Sequence, residues 1–120
     1  MSEPYRLLIT GSRDWEDEES VRFELAGLTM MHPGLVVVHG ACPKGADAMA
    51  AKACRDIGIR QEPHPADWSL GKSAGFRRNA EMVALGADAC LAFIRDGSRG
   101  ATHCADLAEK AGIPTMRLTA

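Results

Sequence analysis

The chain has 120 residues, 46% of them hydrophobic and 25% charged, with a formal net charge of −2. That length suits a single domain over residues 1–120 with a core that needs no disulfide or metal, and the charge argues against a general nucleic-acid coat or a polybasic membrane binder. The apolar runs are too short to cross a bilayer and the start MSEPYR lacks a signal-peptide layout, so no membrane contact and a cytoplasmic location are expected.

In chain order, Tyr5–Thr10 reads as a strand ending at Gly11. Glu18–Met31 follows as a helix, with Val21, Leu25, Leu28 and Met31 at helical spacing and the acids Glu16–Glu19 at its positive end. Leu35–His39 is a buried strand, Ala46–Ile57 a helix, and Ile59–Glu62 a short strand cut off by Pro63 and Pro65. Asp67–Ser73 is a loop holding Trp68. A helix from Ala74 or Gly75 to Leu85 places Phe76, Ala80 and Val83 on one face. Ala89–Ile94 is a strand, Arg95–Gly100 a glycine-containing loop, Thr102–Ala111 a helix stopped by Gly112, and Thr115–Leu118 a last strand.

Short apolar strands alternating with helices, without a hairpin signal, predict an α/β fold: a Rossmann-like three-layer sandwich of about five parallel strands with helices on both faces. Right-handed crossovers then carry the turns after the first, second and fourth strands to one carboxyl edge, where open α/β sheets bind ligands. The cysteines Cys42, Cys54, Cys90 and Cys104 contain no C-x-x-C pair and read as reduced thiols, Cys54 and Cys90 acting as small hydrophobes.

Three loops meet at that edge. Gly11-Ser12-Arg13-Asp14-Trp15 offers close backbone approach, a hydroxyl donor and a forked cation suited to phosphate or carboxylate. Gly40 and Gly45 have P-loop spacing, but Ala46-Asp47 stands where that motif has Lys-Ser or Lys-Thr, so triphosphate hydrolysis has no machinery. A glycine loop feeding a helix N-terminus remains, with Lys44 a candidate phosphate partner and Asp47 a candidate acceptor from sugar hydroxyls or a base. The third loop, Arg95–Thr102, brings Gly97, Ser98, Gly100 and Thr102 to another helix start. Gly71–Met82 adds Lys72, Arg77 and Arg78 where cations oppose the helix dipole, a cost that a bound anion offsets; only one of Arg77 and Arg78 need face the pocket. Trp68 offers a surface for a base to stack on. His39 and Cys42, with His103 and Cys104, are legitimate zinc ligands, but neither pair has finger spacing and no metal is expected. Cys42 as a nucleophile has only Lys44 and His39 nearby in sequence to activate it.

Together the pieces GSRDW (Gly11–Trp15), HGACPKGAD (His39–Asp47), ADW (Ala66–Trp68), GKSAGFRRNAEM (Gly71–Met82) and DGSRGATHCADLAEKAGIP (Asp96–Pro114) resemble the SLOG superfamily, named for the Smf/DprA and LONELY GUY groups, and most of all its small YspA-like branch. The resemblance runs over nearly the whole chain. It implies a pocket for a nucleotide or nucleotide-derived molecule formed by Gly11, Ser12, Arg13, Gly40, Gly45, Asp47, Arg78, Asn79, Ser98, Gly100 and Thr102, and a homo-oligomer; no cofactor is expected. In the LONELY GUY group a phosphoribohydrolase uses an arginine and the glutamate of P-G-G-x-G-T-x-x-E. Arg78 stands for the arginine, whereas DGSRGATHCAD lacks the glutamate and offers Asp106 as the nearest acid in the following helix. The expected function is therefore binding or sensing of such a ligand. Nucleoside-monophosphate N-glycosidase activity is the alternative, and single-stranded DNA binding through Arg13, Lys44, Lys72, Arg77 and Arg99, as in DprA relatives, is less favoured because the chain is acidic overall.

Overall fold

The computed structural model describes residues 4–120. In chain order its elements are β1 (Arg6–Gly11), α1 (Glu18–Met31), β2 (Val36–His39), α2 (Gly45–Ile57), β3 (Arg60–Pro63), a one-turn 3₁₀ helix (Trp68–Leu70), α3 (Ala74–Ala84), β4 (Ala89–Ile94), α4 (Arg99–Lys110) and β5 (Thr115–Thr119). The strands form one sheet in the order β3-β2-β1-β4-β5, and every pairing is parallel. This is a Rossmann-like α/β sandwich. The chain winds outward from β1 to β3, then returns to the other side of β1 for β4, and that reversal opens a crevice beyond the carboxyl ends of the strands.

The alternation of strand side chains builds two cores. Leu7 and Ile9 of β1 and Val37 of β2 pack with Val21 and Leu25 of α1 and Ala50 and Cys54 of α2. Leu8 and Val38 point the other way, onto Met82 and Val83 of α3 and Cys104 and Ala108 of α4. Each fully buried leucine stabilises the fold by about 1.5–3 kcal/mol. Trp15, although in a loop, belongs to the first core: its ring meets Phe93 edge-on at 5.4 Å and its Nε1 donates to the Asp17 carbonyl at 2.9 Å. Burial pushes the thiol of Cys54 up to about 11, Cys90 to about 12 and Cys104 to about 11, so these three stay protonated as apolar filling. No helix among the described residues is long and apolar enough to cross a membrane.

Several local expectations need correction. Strand β3 runs to Pro63, which pairs with His39; on an edge strand the missing N–H faces no neighbour, so proline does not end the ladder. Helix α4 begins at Arg99, three residues before Thr102, and Thr102 N–H donates to the Ser98 carbonyl. Met31 is exposed at the end of α1, while Val21 and Leu25 are buried. Ala80 of α3 faces outward and Phe76 is half-exposed, its ring 4.5 Å from that of His103; Ala74, Asn79, Met82 and Val83 are the buried positions. A hydrophobicity pattern misplaces that face because it contains a buried asparagine. The acid run behaves as read: Asp17 caps α1 by accepting from Ser20 N–H at 3.1 Å, and Glu18 and Glu19 occupy the first turn.

Across the sheet, Arg6 on β1 makes a forked contact with Glu62 on β3, at 2.8 and 2.9 Å. His64 adds a third contact to the same carboxylate at 2.7 Å. The Arg6 hydrogen bonds, then that of His64, hold the Glu62 carboxyl at about 2, below its ordinary 4.5. A depressed acid stabilises the fold above its unfolded value and loses that contribution as pH falls through the folded one. Glu62 is partly exposed, so solvent screening limits the effect. Glu62→Gln is expected to lower stability by no more than about 1 kcal/mol at pH 7. Urea melts at a series of pH values should show the gap between the two proteins closing between about 4.5 and 2.

Candidate functional site

The carboxyl edge is organised around Ser12. Its N–H donates to the Phe93 carbonyl at 2.8 Å, its carbonyl accepts from Trp15 and Ala46 N–H at 3.2 Å each, and its Oγ accepts from Arg95 N–H at 2.8 Å. One buried serine thus ties the loops after β1, β2 and β4 together. Two glycines make this possible. A Cβ on Gly11 would stand 2.2 Å from Ala46 Cβ, and one on Gly45, whose φ is +72°, would stand 2.1 Å from the Ser12 carbonyl oxygen.

These loops surround a cleft of about 520 Å³. Gly11, Gly40, Asp47, Asn79, Ser98 and Gly100 line its interior, and Arg78 reaches into it from α3. Arg13, Trp68 and Lys72 stand around it, the Arg13 guanidinium lying 5.4 Å from the Trp68 ring centroid. Trp68 is 53% exposed, so its ring remains open to stacking. Not every residue expected at the site lines this cleft. Ser12 and Gly45 are spent inside the loop junction, Lys44 lines an adjoining cleft with Arg13, Cys42 and Trp68, and Gly97 and Thr102 are outside both linings. Arg77 is exposed while Arg78 is half-buried, which decides between the two. Outside the expected set, Gly75, Arg95 and Asp96 also line the cleft. The clue to Gly75 is its lack of a side chain: a Cβ there would approach the Trp68 ring at 3.2 Å.

Arg78 is held by its surroundings. Its Nε donates to Asn79 Oδ1 at 3.0 Å, and its Nη1 donates to the carbonyls of Gly40 at 2.5 Å and His64 at 3.3 Å. Asn79 in turn donates through Nδ2 to the Gly100 carbonyl at 3.3 Å, joining α3 to the start of α4. The guanidinium packs where Gly40 has no side chain; a Cβ there would come within 2.5 Å of Nη1. His39 has both ring nitrogens engaged. Nδ1 accepts from Ala41 N–H at 3.0 Å, which leaves the proton on Nε2 to donate to Gln61 Oε1 at 2.9 Å.

Asp47 is 6% exposed. Its Oδ2 accepts from Cys42 N–H at 3.3 Å, whereas its Oδ1 is fully buried with no protein partner among the described residues. Burial pushes the carboxyl up from its ordinary value, against the pull of His39, the Cys42 N–H, the Arg78 guanidinium and the Gly40 amide. A native fold rarely retains an unsatisfied buried carboxylate oxygen, since it costs about 1–3 kcal/mol or more. Asp106, in contrast, faces away from the cleft and pairs with Arg117 at 2.7 Å.

A parallel α/β sheet with a glycine-walled cleft at its reversal point defines a Rossmann-like ligand-site architecture. Residues 5–71 match the model of the YspA, cpYpsA-related SLOG family, and the chain belongs to that family. The Gene 61 protein of Mycobacterium phage D29 is 49% identical over 118 residues, covering 92% of this chain and 94% of the relative. Among solved structures, the molybdenum cofactor carrier protein MCP from Chlamydomonas reinhardtii shares the fold with a TM-score of 0.68 at 17% identity, over 98% of this chain and 79% of that one.

Proposed function

We propose that the chain binds or senses a nucleotide or nucleotide-derived small molecule in the cleft at the carboxyl edge of its sheet. The observation that carries this reading is the buried Asp47 Oδ1, unpartnered within the protein, beside an arginine held by three contacts. Family membership and a fold shared with a cofactor carrier support a small-molecule ligand. Arg13 and Lys72 supply positive charge for a phosphate, and Trp68 supplies a flat surface for a base. Binding is favoured over N-glycoside hydrolysis because Asp106 lies outside the cleft, and Asp47 has one oxygen already committed to a backbone amide. The exposed Phe23, Met30 and Met31 of α1 support the self-association expected for such a chain.

Thermal-shift measurements with mono- and dinucleotides and their signalling derivatives test the proposal. A ligand at a hundredfold excess over its Kd stabilises the folded form by about 2.7 kcal/mol. Arg13→Ala is expected to weaken the effective ligand about tenfold by removing the cation at the cleft mouth. If no nucleotide shifts the melting point, the proposal fails; release of free base from a nucleoside monophosphate would replace it with the hydrolase reading.

A further inference from the structure

We propose that the wall shared by the two clefts at the carboxyl edge, where Arg13 and Lys44 stand side by side, is a subsite for a pyrophosphate group. The ligand then carries two linked phosphates and extends from the main cleft into its neighbour. This rests on the main cleft being a nucleotide site, and it names the group that crosses from one space to the other.

The loop junction sets the two cations together. A Cβ on Gly45 would lie 2.6 Å from Arg13 Cα, so the residue that follows Lys44 packs directly on the backbone that carries Arg13. The Ala46 N–H, bonded to the Ser12 carbonyl at 3.2 Å, fixes that pairing. Both side chains are exposed, and both line the second cleft, of about 540 Å³, together with Pro43, Cys42 and Trp68. Arg13 and Trp68 line the main cleft as well, so the two spaces meet at these residues.

Neither cation has an ion-pair partner among the described residues, whereas Arg6, Arg22, Arg95 and Arg117 all do. The Arg13 side chain has no hydrogen-bond acceptor among them either; the Trp68 ring, 5.4 Å away, steadies its guanidinium without taking an N–H. Two like charges held on one rigid junction repel each other, and an anion that touches both offsets that cost. Asp14 lines both clefts too, yet pairs with neither cation.

Side chains, not a backbone cradle, meet the phosphates here. The Cys42 and Gly40 amides turn to Asp47, whose carboxyl group already stands in the first turn of α2 as the chain's own acid. A lone phosphate on Arg13 leaves Lys44 and the second cleft unused. A pyrophosphate reaches both: one phosphate takes the Arg13 fork and the next meets the Lys44 ammonium. A single carboxylate has charge for only one of them, and an apolar group leaves both unpaired.

The test is titration calorimetry on the full chain at one fixed ionic strength, with AMP, ADP and diadenosine diphosphate, and with the same three compounds in the guanosine series. In the series that binds, the diphosphate is expected to bind about tenfold more tightly than the monophosphate. Lys44→Gln should bring that ratio to within about twofold, and Lys44→Arg should restore it. Both changes fall on an exposed side chain, so the fold is kept. A dinucleoside compound that binds more weakly than ADP or GDP identifies a terminal pyrophosphate; one that binds as tightly or better identifies a bridging one, with its second nucleoside in the adjoining cleft. Equal binding of mono- and diphosphate by the parent, or a diphosphate preference that survives Lys44→Gln, overturns the subsite while leaving the nucleotide site standing. Absence of binding by every compound overturns both.

Discussion

Gly45→Ala is expected to lower the melting temperature by about 10 °C or more, the largest effect of any single methyl added to this chain. Two costs combine. At φ +72° an alanine is strained, and its Cβ would stand 2.1 Å from the Ser12 carbonyl and 2.6 Å from Arg13 Cα, both backbone atoms that cannot step aside without moving a loop. A strained position adds about 1–3 kcal/mol before the clash is counted, and in a chain of this size each kcal/mol is roughly 4 °C. The matching control is Gly27→Ala on α1, where the added Cβ meets nothing within 4 Å. That exposed helical substitution should raise stability by about 0.5–1 kcal/mol through helix propensity. Scanning calorimetry on both variants reads the contrast; a Gly45→Ala protein that melts with the parent would show that the three loops are not locked as described.

Arg78→Ala should be the most damaging side-chain truncation in the cleft, costing about 2–4 kcal/mol and abolishing ligand binding. It removes donors from the carbonyls of Gly40 and His64 and from Asn79 Oδ1, and it takes away the cation facing Asp47. The Asp47 carboxyl is raised in the fold, so the stability linked to it is fully present below its unfolded value and is lost as pH rises through the folded one. His39 still faces Asp47 in the variant, but the guanidinium no longer offsets the charge. The cost of Arg78→Ala should accordingly grow as pH rises above about 4. Introducing Asp47→Asn into the Arg78→Ala background should recover about 1 kcal/mol or more at pH 8 and little at pH 4. Equal recovery at both values would mean that the carboxylate charge is not what Arg78 offsets.

The sheet is readable in the amino-acid sequence because its three central strands, β2, β1 and β4, are nearly unbroken apolar runs, as in Leu35–His39 and Ala89–Ile94, a pattern that parallel strands buried on both faces require. What escapes a one-dimensional reading is whatever depends on a neighbour far along the chain. Pro63 looks like a strand breaker until the edge position of β3 is known. The inner face of α3 carries Asn79, and no hydrophobicity pattern marks a buried amide whose partners, Arg78 and Gly100, come from two helices. Site residues divide in the same way. Gly40 and Asp47 stand out by their loop, yet only the fold shows that Gly40 is open to admit the Arg78 guanidinium. Ser12 and Gly45, equally prominent in their motifs, are used up in joining one loop to another.

That junction bears on how the proposed ligand would be received. Ser12 fixes three loops with its N–H, its carbonyl and its hydroxyl before any ligand arrives. The floor of the cleft is therefore preorganised, and association loses little conformational entropy there. The mouth of the proposed site is bounded instead by the half-exposed one-turn helix at Trp68, so that a fixed floor lies beneath an open rim.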